Sequence, residues 1–182
     1  MSLVWSLLGE IDGWLTGNAP ETAATLRPPA AVDPVDQLRA GTGIEVHPDL
    51  VALLLWHDGA EATDVAAFQL APGFDFLGAA EMIEVREREA AAAARFFPDS
   101  WRHGWLPVAD DGAGGQLIME HASGPAYGTV FARDPENGPS PDVRWPSLAA
   151  LLADVAAALR DGTQLAGRLP EVEAGVLEWP DA

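Results

Sequence analysis

Apolar residues return every three or four positions at the start of the chain. Val4, Leu7, Leu8, Ile11, Trp14 and Leu15 share one helical face, and Gly17-Asn18 followed by Pro20 stops the helix. Residues 19–32, rich in Ala, Thr and Pro, read as a loop. Asp33-Pro34 reads as a cap and first-turn proline, opening a short helix that ends before Gly41. A short extended piece over 43–46 precedes a further helix, PDLVALLLWHDG. In it Leu50, Leu53, Leu54 and Trp56 are expected in the core, with Gly59 as the stop.

Residues 65–70, VAAFQL, predict a strand, and APGFDF predicts a turn leading into a helix of roughly 78–96. The EVRERE portion of that helix is a solvated, charged face. Three short strands follow, over 106–109, 116–121 and 127–133, and DPENGPSPD reads as a polar surface loop. Trp145-Pro146-Ser147 introduces a last helix, whose stripe is Leu148, Leu151, Leu152, Val155 and Leu159 and whose stop is Gly162. No internal repeat is present. Helices, then adjacent strands, then a helix predict an α+β fold. The expectation is a single domain over 1–162, with an antiparallel-rich mixed sheet and N-terminal, middle and C-terminal helices packed around it. Residues 163–182 read as an acidic C-terminal tail.

Composition narrows the class of function. The 182 residues suit one domain. Twenty-eight acidic residues stand against ten arginines, with no lysine, for a net charge of −18. That field repels phosphate backbones and anionic lipid, and it speeds encounter with basic proteins. Neither nucleic acid nor membrane is therefore expected as a partner. The same balance also follows from GC-rich base composition, without a functional cause. No apolar run reaches the ~20 residues of a membrane span. The N-terminus lacks a basic start, and there is no cysteine, so the cytoplasm is the expected compartment.

The stretch WLPVADDGAGGQLIME, residues 105–120, offers three readings. Asp110-Asp111-Gly112 puts its acids side by side, where a calcium loop needs alternate ligands. The GAGG run lacks the Lys-Ser/Thr of a phosphate loop and leads toward a strand. An Asp/Gly turn between two strands needs no special assumption. Elsewhere the histidines (47, 57, 103, 121) lack zinc spacing, no serine sits in a G-x-S-x-G elbow, and AGTGIEV lacks the third glycine of a dinucleotide fingerprint. His57-Asp58 could be a base and its orienter, but a His near a helix end more often complements the dipole. Glu81 and Glu84 lie at i,i+3 on a helix and read as a solvated face. Trp5, Trp14 and Trp56 fall in apolar helix patterns, where core packing is the default.

Taken in order, Trp14-Leu15, HPDLVALLLWHDG, FDFLGAAEMI, WLPVADDGAGGQLIME and WPSLAALLADV resemble the SUKH superfamily, the Smi/Knr-like domain of cell-wall assembly regulators. The resemblance runs over about residues 3–160, and the matching positions (among them Trp14, His57, Gly59, Trp105, Gly115 and Trp145) are architectural. The alanine run 90–94, the DPENGPSPD loop and the tail depart from it. It implies a non-catalytic protein-binding module without cofactor or metal. In bacteria it implies an immunity protein that neutralises a cognate, basic toxin such as a nuclease. The alternative is a housekeeping regulatory or scaffold domain with an endogenous partner. Binding residues do not carry over, because partners vary within the family. The acids expected to face a partner are Glu61, Asp64, Asp110, Asp111 and Glu120, with Glu136 and Asp142 second. The sequence leaves the oligomeric state open.

Overall fold

The opening helical pattern forms α1 (Leu3–Asn18), with Val4, Leu8, Ile11 and Leu15 buried. The computed structural model describes residues 3–96 and 100–181, with side chains throughout except at 32–34. The stretch expected as a loop contains a single turn of helix, α2 (Pro20–Ala23). Next comes α3 (Val32–Thr42), whose N-cap is Ala31, so Asp33-Pro34 lies in the first turn and not at the cap. Gly43 ends α3 at φ 67°, a left-handed conformation that suits glycine. Helix α4 (Pro48–Trp56) is capped by His47, whose Nδ1 accepts from the Asp49 amide at 3.1 Å.

Two strands follow where one strand and a turn were expected. β1 (Gln69–Ala71) and β2 (Phe74–Phe76) form a hairpin around Pro72-Gly73. Each is only three residues long, too short for alternation to show. Helix α5 (Ala79–Phe96) then leads to β3 (Trp105–Asp110), β4 (Gln116–Glu120) and β5 (Val130–Asp134). The expected polar loop is a turn plus a further strand, β6 (Gly138–Trp145). Its prolines, Pro139 and Pro141, hid it from the pattern. They are tolerated because β6 is an edge strand, where a missing N–H costs little. Helix α6 (Leu148–Asp161) ends the expected series, with Ser147 accepting from the Ala150 amide at 3.1 Å and Gly162 as the left-handed stop.

The six strands are ordered β1 to β6, every pairing antiparallel; the mixed sheet expected from the sequence has no parallel pair among the described strands. One core joins α1, α4 and α6 to one face of this sheet, through Leu8, Leu53, Val108, Leu117 and Leu151 among others, and Met82 of α5 reaches it too. Each such side chain contributes about 1.5–3 kcal/mol by leaving water. The other face carries a smaller cluster of Trp105, Ile118 and Phe131, with Trp101 against it. All of β4 is buried because the sheet is covered on both faces.

The segment read as an acidic tail is folded. β7 (Glu171–Glu173) and β8 (Val176–Glu178) form a second hairpin, and Leu165, Leu177 and Trp179 enter the main core. Its seat is α2, where the Leu177 amide donates to Thr22 Oγ at 2.8 Å and the Glu21 amide donates to the Gly175 carbonyl at 3.0 Å. The glutamates of the hairpin remain exposed, so its acidity lies outward over an apolar anchor.

Candidate functional site

Antiparallel pairing brings three hairpin turns to one end of the sheet. Asp75 of β2 pairs with Asp110 at the end of β3, and Gln116 pairs with Arg133 near the end of β5. The turns at Pro72-Gly73, 111–115 and 135–137 therefore lie side by side. A Cβ built on Gly114 would stand 3.6 Å from Pro135 Cγ, so the second and third turns touch.

The 111–115 turn is the Asp/Gly connection the sequence suggested. Asp110 Oδ1 accepts from the Gly112 amide at 2.7 Å, and Asp111 Oδ1 accepts from Ala113 and Gly115, both at 2.8 Å. Gly112 and Gly114 hold φ of 72° and 108°. The carboxylates thus build the turn from within and still present charge outward. The neighbouring turn repeats the device: Asp134 Oδ1 accepts from the amides of Asn137 and Glu136 at 2.7 and 2.9 Å. These bonds, Asn137's first, hold the Asp134 carboxyl below its usual range.

Beside the first turn lies an open cavity of about 290 Å³, lined by Glu61, Asp75, Glu81, Asp110 and Arg27 among others. Arg27 crosses it, donating from Nη1 and Nη2 to the two oxygens of Glu81 at 3.0 and 2.6 Å. That bond raises the Arg27 pKa further, against the effect of burial. Glu81 also accepts from the Gly78 amide at 2.8 Å at the start of α5, and Asp58 accepts from Ala79 at 2.8 Å. Arg88 reaches Asp110 at 3.4 Å. Burial pushes the Asp75 carboxyl up, the Gln69 amide bond opposes this, and the nearby Asp110 charge adds to the rise.

Of the acids expected to face a partner, the structure gathers Glu61, Asp110, Asp111 and Glu136 at this end. Asp64 is exposed on the same loop as Glu61. Asp142 is exposed but lines a different, larger cavity between β6 and α6. Glu120 is a correction: it is buried at the opposite end of β4, where Oε2 accepts from Trp105 Nε1 at 3.0 Å and Oε1 from the Ala122 amide at 2.8 Å. A strand-end acid is indistinguishable in sequence from a displayed one until its partner, Trp105, is paired opposite it. Sequence reading missed Asp75 and Asp134, whose place depends on strand pairing, and took Glu81 for a solvated acid when it is the anchor of Arg27.

His57 and Asp58 do not pair as base and orienter. His57 Nδ1 meets the Arg27 carbonyl at 2.5 Å, its Nε2 lies 3.8 Å from Asp12, and Asp58 caps α5. Among the described residues no group of three or more His, Asp or Glu side chains is placed to hold a metal. Among the described residues no helix is long and apolar enough to cross a membrane.

The antiparallel α+β fold thus places Glu61, Asp75, Asp110, Asp111, Asp134 and Glu136 around the turns of one sheet end. The chain belongs to the SMI1/KNR4 family (SUKH-1), whose description it matches over residues 29–154. The match takes in α3 through the first half of α6 and leaves out α1, α2 and the C-terminal hairpin; α2 packs on both α1 and the hairpin. A search of curated proteins gave no match.

Proposed function

We propose that the protein is a non-catalytic binding module, and specifically an immunity protein whose acidic sheet end covers a basic surface of a cognate bacterial toxin. The observation that carries this reading is the convergence of Glu61, Asp110, Asp111 and Glu136 at one end of a sheet packed on both faces. Rigid presentation matters, because a charge fixed by its own turn loses little side-chain entropy on binding. The net charge of −18 steers a basic partner toward that surface, raising the rate of encounter more than the lifetime of the complex. A toxin that attracts phosphate, such as a nuclease, has a surface complementary to this one. No cofactor is required, and a cytoplasmic location fits a protein that must meet its toxin inside the cell. The regulatory or scaffold alternative would use the same surface for an endogenous basic partner.

Co-expression with a toxin encoded beside this gene tests the reading. Relief of toxicity is expected, together with one-to-one binding whose association rate falls steeply with added salt. Undiminished toxicity alongside a well-expressed, folded protein would count against it.

A further inference from the structure

Two exposed arginines stand beside the Trp105–Phe131 cluster, away from the acidic turns. Six of the ten arginines have carboxylate partners within the chain: Arg27, Arg39, Arg88, Arg133, Arg160 and Arg168. Arg102 and Arg144 are exposed and, among the described residues, have none. Their guanidinium carbons stand over aromatic rings instead, Arg102 at 5.6 Å from the Trp105 centroid and Arg144 at 5.7 Å from that of Phe131. The two rings meet edge to face, with centroids 5.4 Å apart. Both arginines line one small cavity of about 110 Å³, together with Trp105, Phe131, Thr129, Pro139 and Glu120.

We propose that Arg102 and Arg144 form an acceptor for a single carboxylate, supplied by an Asp or Glu side chain projecting from a protein partner. Guanidinium groups match a carboxylate through paired, charge-assisted hydrogen bonds, and stacking on a ring restricts their freedom before the ligand arrives. Size argues for one functional group, since sites for whole small molecules run to roughly 300–1,000 Å³. Charge argues for a monoanion. Glu120 lies in the wall, its two oxygens bonded to Trp105 Nε1 and the Ala122 amide, and its negative charge disfavours a phosphate dianion. Arginine beside aromatic residues is also the composition of protein-interface hot spots. The pocket lies toward the Trp105 end of β3, about five residues or roughly 17 Å along the strand from Asp110. Its opposite sign would fix the orientation of a partner docked on the acidic end.

Titration of the full chain with a blocked Glu-containing tripeptide tests this, with the Gln tripeptide and inorganic phosphate as separate arms. The readout is the Trp105 indole N–H resonance, which reports on the bond to Glu120 beside the cavity. A saturable shift with the Glu peptide is expected, at least tenfold weaker with the Gln peptide. It should be lost in Arg102→Gln/Arg144→Gln, a variant whose Trp145 indole resonance stays in place. An equal response to the Gln peptide, tighter binding of phosphate, no saturable shift, or a shift that survives in the double variant would each overturn the proposal. Because the probe carries no basic surface, these outcomes do not depend on the toxin-binding reading.

Discussion

Asp75 and Asp110 stand directly opposite each other on β2 and β3, two carboxylates facing across a ladder that would be more stable without one of them. Gln69 donates to Asp75 at 3.3 Å and Arg88 reaches Asp110 at 3.4 Å, which partly offsets the repulsion. Such a pair fits a surface retained for binding.

Asp75→Asn is expected to stabilise the fold at neutral pH by roughly 0.2–1 kcal/mol, the range for cross-strand pairs. The Asp75 pKa is raised above its ordinary 3.8 in the fold. The folded chain therefore binds the proton more readily than the unfolded one, and stability is lost as pH rises from 3.8 through the raised value. The gain from Asn should be present at pH 7 and vanish near pH 3. Urea melts at both values check this, and an equal gain at pH 3 would exclude the charge as its cause.

Gly59 and Gly73 have almost the same positive φ, 81° and 83°, but opposite surroundings. A Cβ on Gly59 would stand 2.3 Å from the Gly78 amide nitrogen, whereas one on Gly73 meets nothing within 4 Å. Gly73→Ala should cost about 1–2 kcal/mol, from the backbone alone. Gly59→Ala should cost more than about 3 kcal/mol, because backbone must also move. Denaturant midpoints of the two variants separate strain from collision.

Glu89 and Arg133 form a buried pair at 3.3 Å, with side chains 11% and 3% exposed. Gln116 takes a second bond from Arg133 at 3.0 Å. Glu89→Ala leaves the guanidinium buried without a counter-ion, for a loss of about 3–5 kcal/mol. Glu89→Gln should recover part of this, since it keeps a hydrogen-bond acceptor. Chemical denaturation of both variants measures the difference.

Helices α1, α3, α4, α5 and α6 were legible because their signals are local, whereas the single turn of α2 was too short to show. The stripe of α1, the Ser147 cap and Gly162 stop of α6, and the Asp/Gly turn after β3 all act within a few residues. What stayed hidden depends on long-range pairing. Pro139 and Pro141 argue against a strand unless that strand is known to lie at the edge. Residues 163–181 look like a solvated tail unless Leu177 and Trp179 are known to find α2 and the core. The same limit explains the site: Asp111 could be read as a turn acid, but neither the burial of Glu120 under Trp105 nor the meeting of Asp75 with Asp110 exists before the sheet is assembled.

His121 is expected to make the fold sensitive to mild acid. Its Nδ1 is 3.0 Å from the Met119 carbonyl, and its Nε2 is buried without a partner among the described residues. Burial lowers its pKa below the ordinary 6.5, opposed by the Met119 bond and aided by His47. The unfolded chain therefore takes the proton first, and stability falls as pH drops through 6.5 toward the folded value. His121→Asn, which keeps a donor for Met119, should flatten the dependence between pH 7 and 5.5. An unchanged slope would place the sensitivity elsewhere.

The acidic sheet end is tested most directly by paired capture from the native cell. The two baits are the natural chain and the variant Glu61→Gln/Asp110→Asn/Asp111→Asn/Glu136→Gln. The amide side chains keep the turn acceptors of Asp110 and Asp111 while removing charge, so the variant should melt within a few degrees of the natural chain. The expected result is a basic protein held by the natural chain, released at moderate salt and not retained by the variant. Equal retention of the same protein by both baits, at every salt concentration, would contradict the account.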